Sequence, residues 1–188
     1  MLETHVLLDG IPAVFWGPDR PRRLIAVHGQ GSHKEERTIR LLARRAVPLG
    51  WQVVSFDLPG HGGRPRLPSA CSPQACVEDL RRMLERVDTR EVALFAQGTG
   101  AQWSLMAYQD QPLSQALFLS PSVGPGLPLR RWDVPTSILS APGAQDSPFG
   151  RVEDFAEKYH CRLTLAPPPE PLLPWLGEAL GDSPRRQS

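Results

Sequence analysis

The sequence contains no run of the ~18 apolar residues that a membrane-spanning helix needs. It is also poor in cysteine: Cys71, Cys76 and Cys161 are odd in number and show no C-x-x-C spacing. That excludes a disulfide-stapled scaffold and a zinc ribbon, and reads as reduced thiols rather than a Cys71–Cys76 pair. The five histidines, His5, His28, His33, His61 and His160, form no H-x-x-x-H or H-E-x-x-H pattern, so no metal site and no cofactor is expected. Neither sign of charge dominates: 21 Lys and Arg stand against 20 Asp and Glu, a net charge of +1. This balance removes any general attraction to nucleic acid or an anionic membrane surface. The Arg20, Arg22, Arg23 group and the pairs Arg81–Arg82 and Arg130–Arg131 read as solvated surface. Met1 to Asp9 carries acids and a histidine instead of a signal-peptide pattern, and a cytoplasmic protein is expected.

What remains is an ordinary globular composition. The 188 residues suffice for one domain with a real core, and 40% are hydrophobic against 22% charged. Residues 1–180 read as that single domain, and 181–188 as a polar, disordered tail. Proline is abundant, at 21, and gathers after Asp57, between Pro121 and Pro135, and between Pro167 and Pro174. These stretches read as loops.

Short apolar runs alternate with amphipathic ones. His5–Leu8 and Ala13–Trp16 flank Asp9-Gly10 and predict a hairpin. Strands are then predicted at Leu24–His28, Gln52–Phe56, Glu91–Ala96, Ala116–Ser120, Thr136–Ser140 and Cys161–Leu165. Between and after them lie helical patterns at Glu35–Leu49, Ser72–Val87, Gly100–Gln109, Arg151–Tyr159 and Leu172–Leu180. Ser72 is placed to cap its helix, with Pro73 at the first position. A hairpin followed by repeated strand–helix units implies an α/β fold, a mostly parallel sheet of about eight strands with helices on both faces. Its functional crevice is expected at the carboxyl ends of the strands.

Three loops at strand ends carry the chemistry: Val27-His28-Gly29-Gln30-Gly31-Ser32-His33-Lys34-Glu35-Glu36, Asp57-Leu58-Pro59-Gly60-His61-Gly62, and Ala96-Gln97-Gly98-Thr99-Gly100. In order and spacing they resemble the α/β-hydrolase superfamily, closest to its lidless or small-lid bacterial serine aminopeptidase and cinnamoyl-esterase members. The resemblance runs from about Leu24 to Leu180. It implies an α/β-hydrolase fold with the cap reduced or absent, the short Ser122–Asp133 segment standing where relatives insert a lid. It also implies an oxyanion hole from the backbone N–H groups of Gln30 and Thr99. His28 and His61 then brace their loops rather than act as bases. The Thr99 side chain is expected to point away, since successive helical side chains diverge.

The resemblance further implies a nucleophile, an acid and a base at particular positions. The nucleophile position is Gly98, which adopts the positive φ of the turn but carries no attacking atom. The acid position is Asp146, after the strand Thr136–Ser140. The histidine position is Pro171, and no histidine follows His160. The expected protein is therefore a hydrolase-like chain with a degenerate triad. Its crevice is expected to take a small acyl or carboxylate ligand, or a protein partner. Trp16, Trp51, Trp103, Trp132 and Trp175 are read as core, with exposed partner anchors as the alternative use. Two other readings stand beside this one. In the first, an esterase works through a rewired site, with Ser32, Ser104, Ser120 or Ser122 as nucleophile, His28 or His33 as base and Asp57 or Asp146 as acid. In the second, the product folds but has no selected role.

Overall fold

A computed structural model describes residues 1–65, 72–87, 91–123, 127, 129–142, 152–166 and 171–181. It opens with two strands, β1 (Glu3–Leu8) and β2 (Ile11–Trp16), joined by Asp9 and Gly10. Both linking residues have positive φ, 50° and 80°, which gives the two-residue turn its match to strand twist. The chain continues through β3 (Arg22–Val27), α1 (Arg37–Ala46), β4 (Gln52–Phe56), α2 (Pro73–Arg86), β5 (Glu91–Gln97) and α3 (Thr99–Tyr108). Then come β6 (Gln115–Leu119), β7 (Thr136–Ser140), α4 (Val152–Lys158), β8 (Arg162–Leu165) and α5 (Leu172–Gly181).

The eight strands form one sheet in the order β1-β2-β4-β3-β5-β6-β7-β8. β1 and β2 are antiparallel to each other, and β2 is antiparallel to β4; every other neighbouring pair is parallel. Strand alternation splits the core in two. Leu24, Ala26, Ala93 and Phe95 face α1 and α5, whereas Ile25, Val27, Leu94 and Ala96 face α2, α3 and α4. On α1 the residues buried are Ile39, Leu42, Ala43 and Ala46, one helical stripe. Each fully buried leucine contributes about 1.5–3 kcal/mol, so both layers are needed. All five tryptophans are buried, and none is left as an exposed anchor for a partner.

Sheet order places the site. After β3 the chain steps outward to β4, then crosses back so that β5 lies on the other flank of β3. At such a reversal the chains leaving β3 and β5 run to helices on opposite faces of the sheet, and ligands of such folds bind beside the strand ends where they part.

Three expectations need adjusting. The helix read as Glu35–Leu49 stops at Ala46 and tightens into a 3-10 turn, Val47–Leu49, closed by Gly50 at φ 89°. Pro48 has no N–H to continue the α-ladder. Pro174 belongs to the first turn of α5 rather than to a loop, where a missing N–H costs nothing. That helix also takes in Gly181, the first residue assigned to the tail; 182–188 lie outside the described residues. No helix among the described residues is long and apolar enough to cross a membrane.

Candidate functional site

The turn between β5 and α3 is built on Gly98, with φ 51° and ψ −129°. Residues with a Cβ adopt this conformation only under strain. Hydrogen bonds pin it to the next strand: Gly98 N donates to Leu119 O at 3.1 Å, and Gly98 O accepts from Ser122 N at 3.0 Å and Ala101 N at 3.2 Å. Among the described residues, a Cβ on Gly98 would have only Gly29 Cα nearby, at 3.9 Å. Those residues thus leave room for a side chain where none exists. Gly100 differs, because a Cβ there would collide with the His28 carbonyl oxygen. Its absence lets α3 lie flush against the end of β3.

The facing loop leaves β3 at His28, which is fully buried. His28 Nε2 accepts the Leu58 N–H at 3.1 Å, so the ring proton sits on Nδ1 and is donated to Gly29 O at 2.7 Å. Burial pushes the His28 pKa down to about 4, so the ring is neutral and both nitrogens are engaged. His61 packs beside it, ring centroids 5.1 Å apart, with Nδ1 2.8 Å from Pro59 O. Both histidines brace their loops, in line with their sequence reading.

The Asp57 carboxylate holds the two loops together. It accepts from Lys34 N at 2.8 Å, Lys34 Nζ at 2.9 Å and Gly63 N at 3.0 Å. Burial pulls its pKa upward, but the Gly63 and Lys34 N–H groups and the Lys34 ammonium outweigh that and leave it below the usual carboxylate range. Arg64 reaches the Asp57 carbonyl at 3.2 Å and ion-pairs with the buried Asp79 of α2. Sequence reading missed the Lys34–Asp57 and Arg64–Asp79 pairs. Lys34, Arg64 and Asp79 carried charge with no role read from the sequence, and Asp57 only that of an acid in the rewired reading. Glu36, at the start of α1, was missed as well; its partly buried carboxyl is held above the usual range by burial, and Oε1 has no hydrogen-bond partner among the described residues.

The loops meet at Gln30 and Thr99. Gln30 N donates to Thr99 Oγ1 at 3.1 Å, so the hydroxyl turns toward the facing loop instead of away from it. The reason is local: Cα–Cβ bonds tilt toward a helix N-terminus, and Thr99 is the first residue of α3. Pro171 lies just before α5 and accepts the Trp175 N–H through its carbonyl at 2.9 Å. Asp146 lies outside the described residues. Ser104 is buried inside α3, whereas Ser120 is exposed at the end of β6 with φ 42°. A metal-like grouping among the described residues, Glu3, His5 and Glu35, already has its charge answered. Arg40 sits 3.8 Å from Glu3 and 3.0 Å from Glu35, and Lys34 is 3.5 Å from Glu35.

This arrangement of strands and loops recurs in solved structures. Est1E from Butyrivibrio proteoclasticus, solved with ferulic acid bound, matches with a TM-score of 0.76 at 15% identity, over 96% of this chain and 98% of that one. TT1662 from Thermus thermophilus matches at 0.72 and 20% identity, over 96% of each chain. The Pyrococcus furiosus esterase PF2001 matches at 0.72 and 14% identity, over 97% of this chain and 90% of that one. At such identities the likeness is one of fold. No curated protein sequence matches the chain. Residues 24–186 match the Alpha/beta hydrolase family, and the chain belongs to that family.

Proposed function

We propose that the chain is a non-hydrolytic member of the α/β-hydrolase family, binding a small acyl or carboxylate ligand where the loops after β3 and β5 meet. One observation carries this reading: the turn that presents a nucleophile in the resembled enzymes is occupied by Gly98, in a conformation that suits glycine and with open space beside it among the described residues. An acyl-enzyme needs an oxygen or sulfur at that point. Pro171, which the resemblance aligns with the general base, has no titratable group. The histidines near the site are poor substitutes. His28 is neutral with both ring nitrogens occupied, and the Nδ1 of His33 already accepts the Glu35 N–H at 3.2 Å.

Backbone donors at the start of α3 favour an oxygen acceptor, and the carboxylic acid held by Est1E is a ligand of that kind. The test is labelling of the purified chain with a fluorophosphonate, together with titration of ferulate. No covalent adduct and saturable ferulate binding are expected. A labelled peptide containing Ser122 or Ser120 would replace this reading with the rewired esterase.

A further inference from the structure

We propose that Thr99 determines how this site meets its ligand: its hydroxyl oxygen accepts the Gln30 N–H, so an incoming acyl or carboxylate oxygen is met by the Thr99 O–H instead of that N–H. This rests on the reading of the site as one that binds without turnover, and adds which donors the ligand uses.

A backbone N–H makes one well-aligned hydrogen bond, and that of Gln30 is directed at Thr99 Oγ1, 3.1 Å away. An acyl oxygen can use the donor only by displacing the hydroxyl. With no side chain on Gly98, Thr99 is the first side chain after the turn, and its β-branch holds χ1 stiffly. The hydroxyl accepts through a lone pair and retains its own proton to give. The pair therefore offers incoming molecules an O–H in place of an N–H. Two backbone donors converging on one oxygen would favour a full negative charge. One backbone donor and a neutral hydroxyl hold the same oxygen less tightly and leave the Gln30 N–H out of the contact. Gln30 itself is exposed, so the contact stands at the mouth of the site, where a ligand meets it first.

Amide NMR on the full chain tests this, with sodium butyrate as the probe. In the wild type, the Gln30 amide resonance stays in place as butyrate is added at millimolar concentration. In Thr99→Val, which keeps the shape and removes the acceptor, Gln30 N–H exchange accelerates about fivefold to tenfold, and butyrate shifts the resonance saturably. Thr99→Ser behaves as the wild type, and Thr99→Ala replaces the valine variant if that one fails to fold. A butyrate shift at Gln30 in the wild type overturns the proposal, as does unchanged exchange in Thr99→Val. Ester hydrolysis by the wild-type chain would instead sink the non-hydrolytic reading and leave the Gln30 result standing, so the two fail separately.

Discussion

Lys34 Nζ lies 2.9 Å from Asp57 Oδ2, a buried ion pair that ties the loop after β3 to the loop after β4. The Asp57 side chain is fully enclosed, and Lys34 is 15% exposed. Removing one partner of such a pair strands a charge out of water. Asp57→Asn is expected to lower unfolding stability by about 3 kcal/mol, read by urea denaturation. Lys34→Met is expected to cost less, because Asp57 keeps the Gly63 and Lys34 N–H groups. The depressed Asp57 pKa adds a pH signature. Its contribution is full above the unfolded value of 3.8 and is lost as pH falls through the lower folded value.

His28 supplies a second pH dependence at higher pH. Its pKa falls from 6.5 to about 4 on burial. Between those values the unfolded chain holds a proton on this ring and the folded chain does not, so stability declines as pH drops from 6.5 toward 4. The shift corresponds to roughly 3 kcal/mol. In His28→Asn, chemical denaturation at pH 7 and pH 4.5 should give a lower stability and a smaller difference between the two.

Two glycines separate backbone strain from steric collision. Gly62 has φ 56°, and a Cβ there would sit inside the Asp57 carboxylate. Gly98 has a similar φ, 51°, but open space among the described residues. Gly98→Ala is expected to cost about 1–2 kcal/mol, whereas Gly62→Ala should cost roughly 3 kcal/mol or more. Thermal melts of the two variants compare them directly, and equal losses would contradict the assignment.

Restoring the missing groups tests their positions. Gly98→Ser combined with Pro171→His is expected to give measurable hydrolysis of an aryl ester, and each change alone is expected to give none. Adding Thr99→Ala, which frees the Gln30 N–H, should raise the double variant's rate further, on the order of tenfold or more. A folded double variant that stays inert would remove Gly98 and Pro171 from the site.

Much of the fold was legible in the sequence because it rests on local periodicity. Gln52–Phe56 and Thr136–Ser140 have the bounds read from their apolar runs. Ser72 caps α2 as placed, its Oγ accepting from Ala75 N at 3.1 Å. The sharp turn at Gly98 was also legible, since the strand–glycine–helix pattern is itself local. Contacts between loops distant in sequence were not. Nothing in the spacing of Lys34 and Asp57 shows that they meet, because the parallel pairing of β3 with β4 creates that proximity. The Thr99 hydroxyl was misread for another reason: helical divergence of side chains was applied at a helix's first residue, where the tilt of the Cα–Cβ bond decides direction.

The most direct measurement is steady-state hydrolysis of p-nitrophenyl acetate by the purified wild-type chain. Release of p-nitrophenolate at the rate of buffer alone is the expected result. Saturable turnover that survives further purification and disappears on substitution of a single serine would contradict the account.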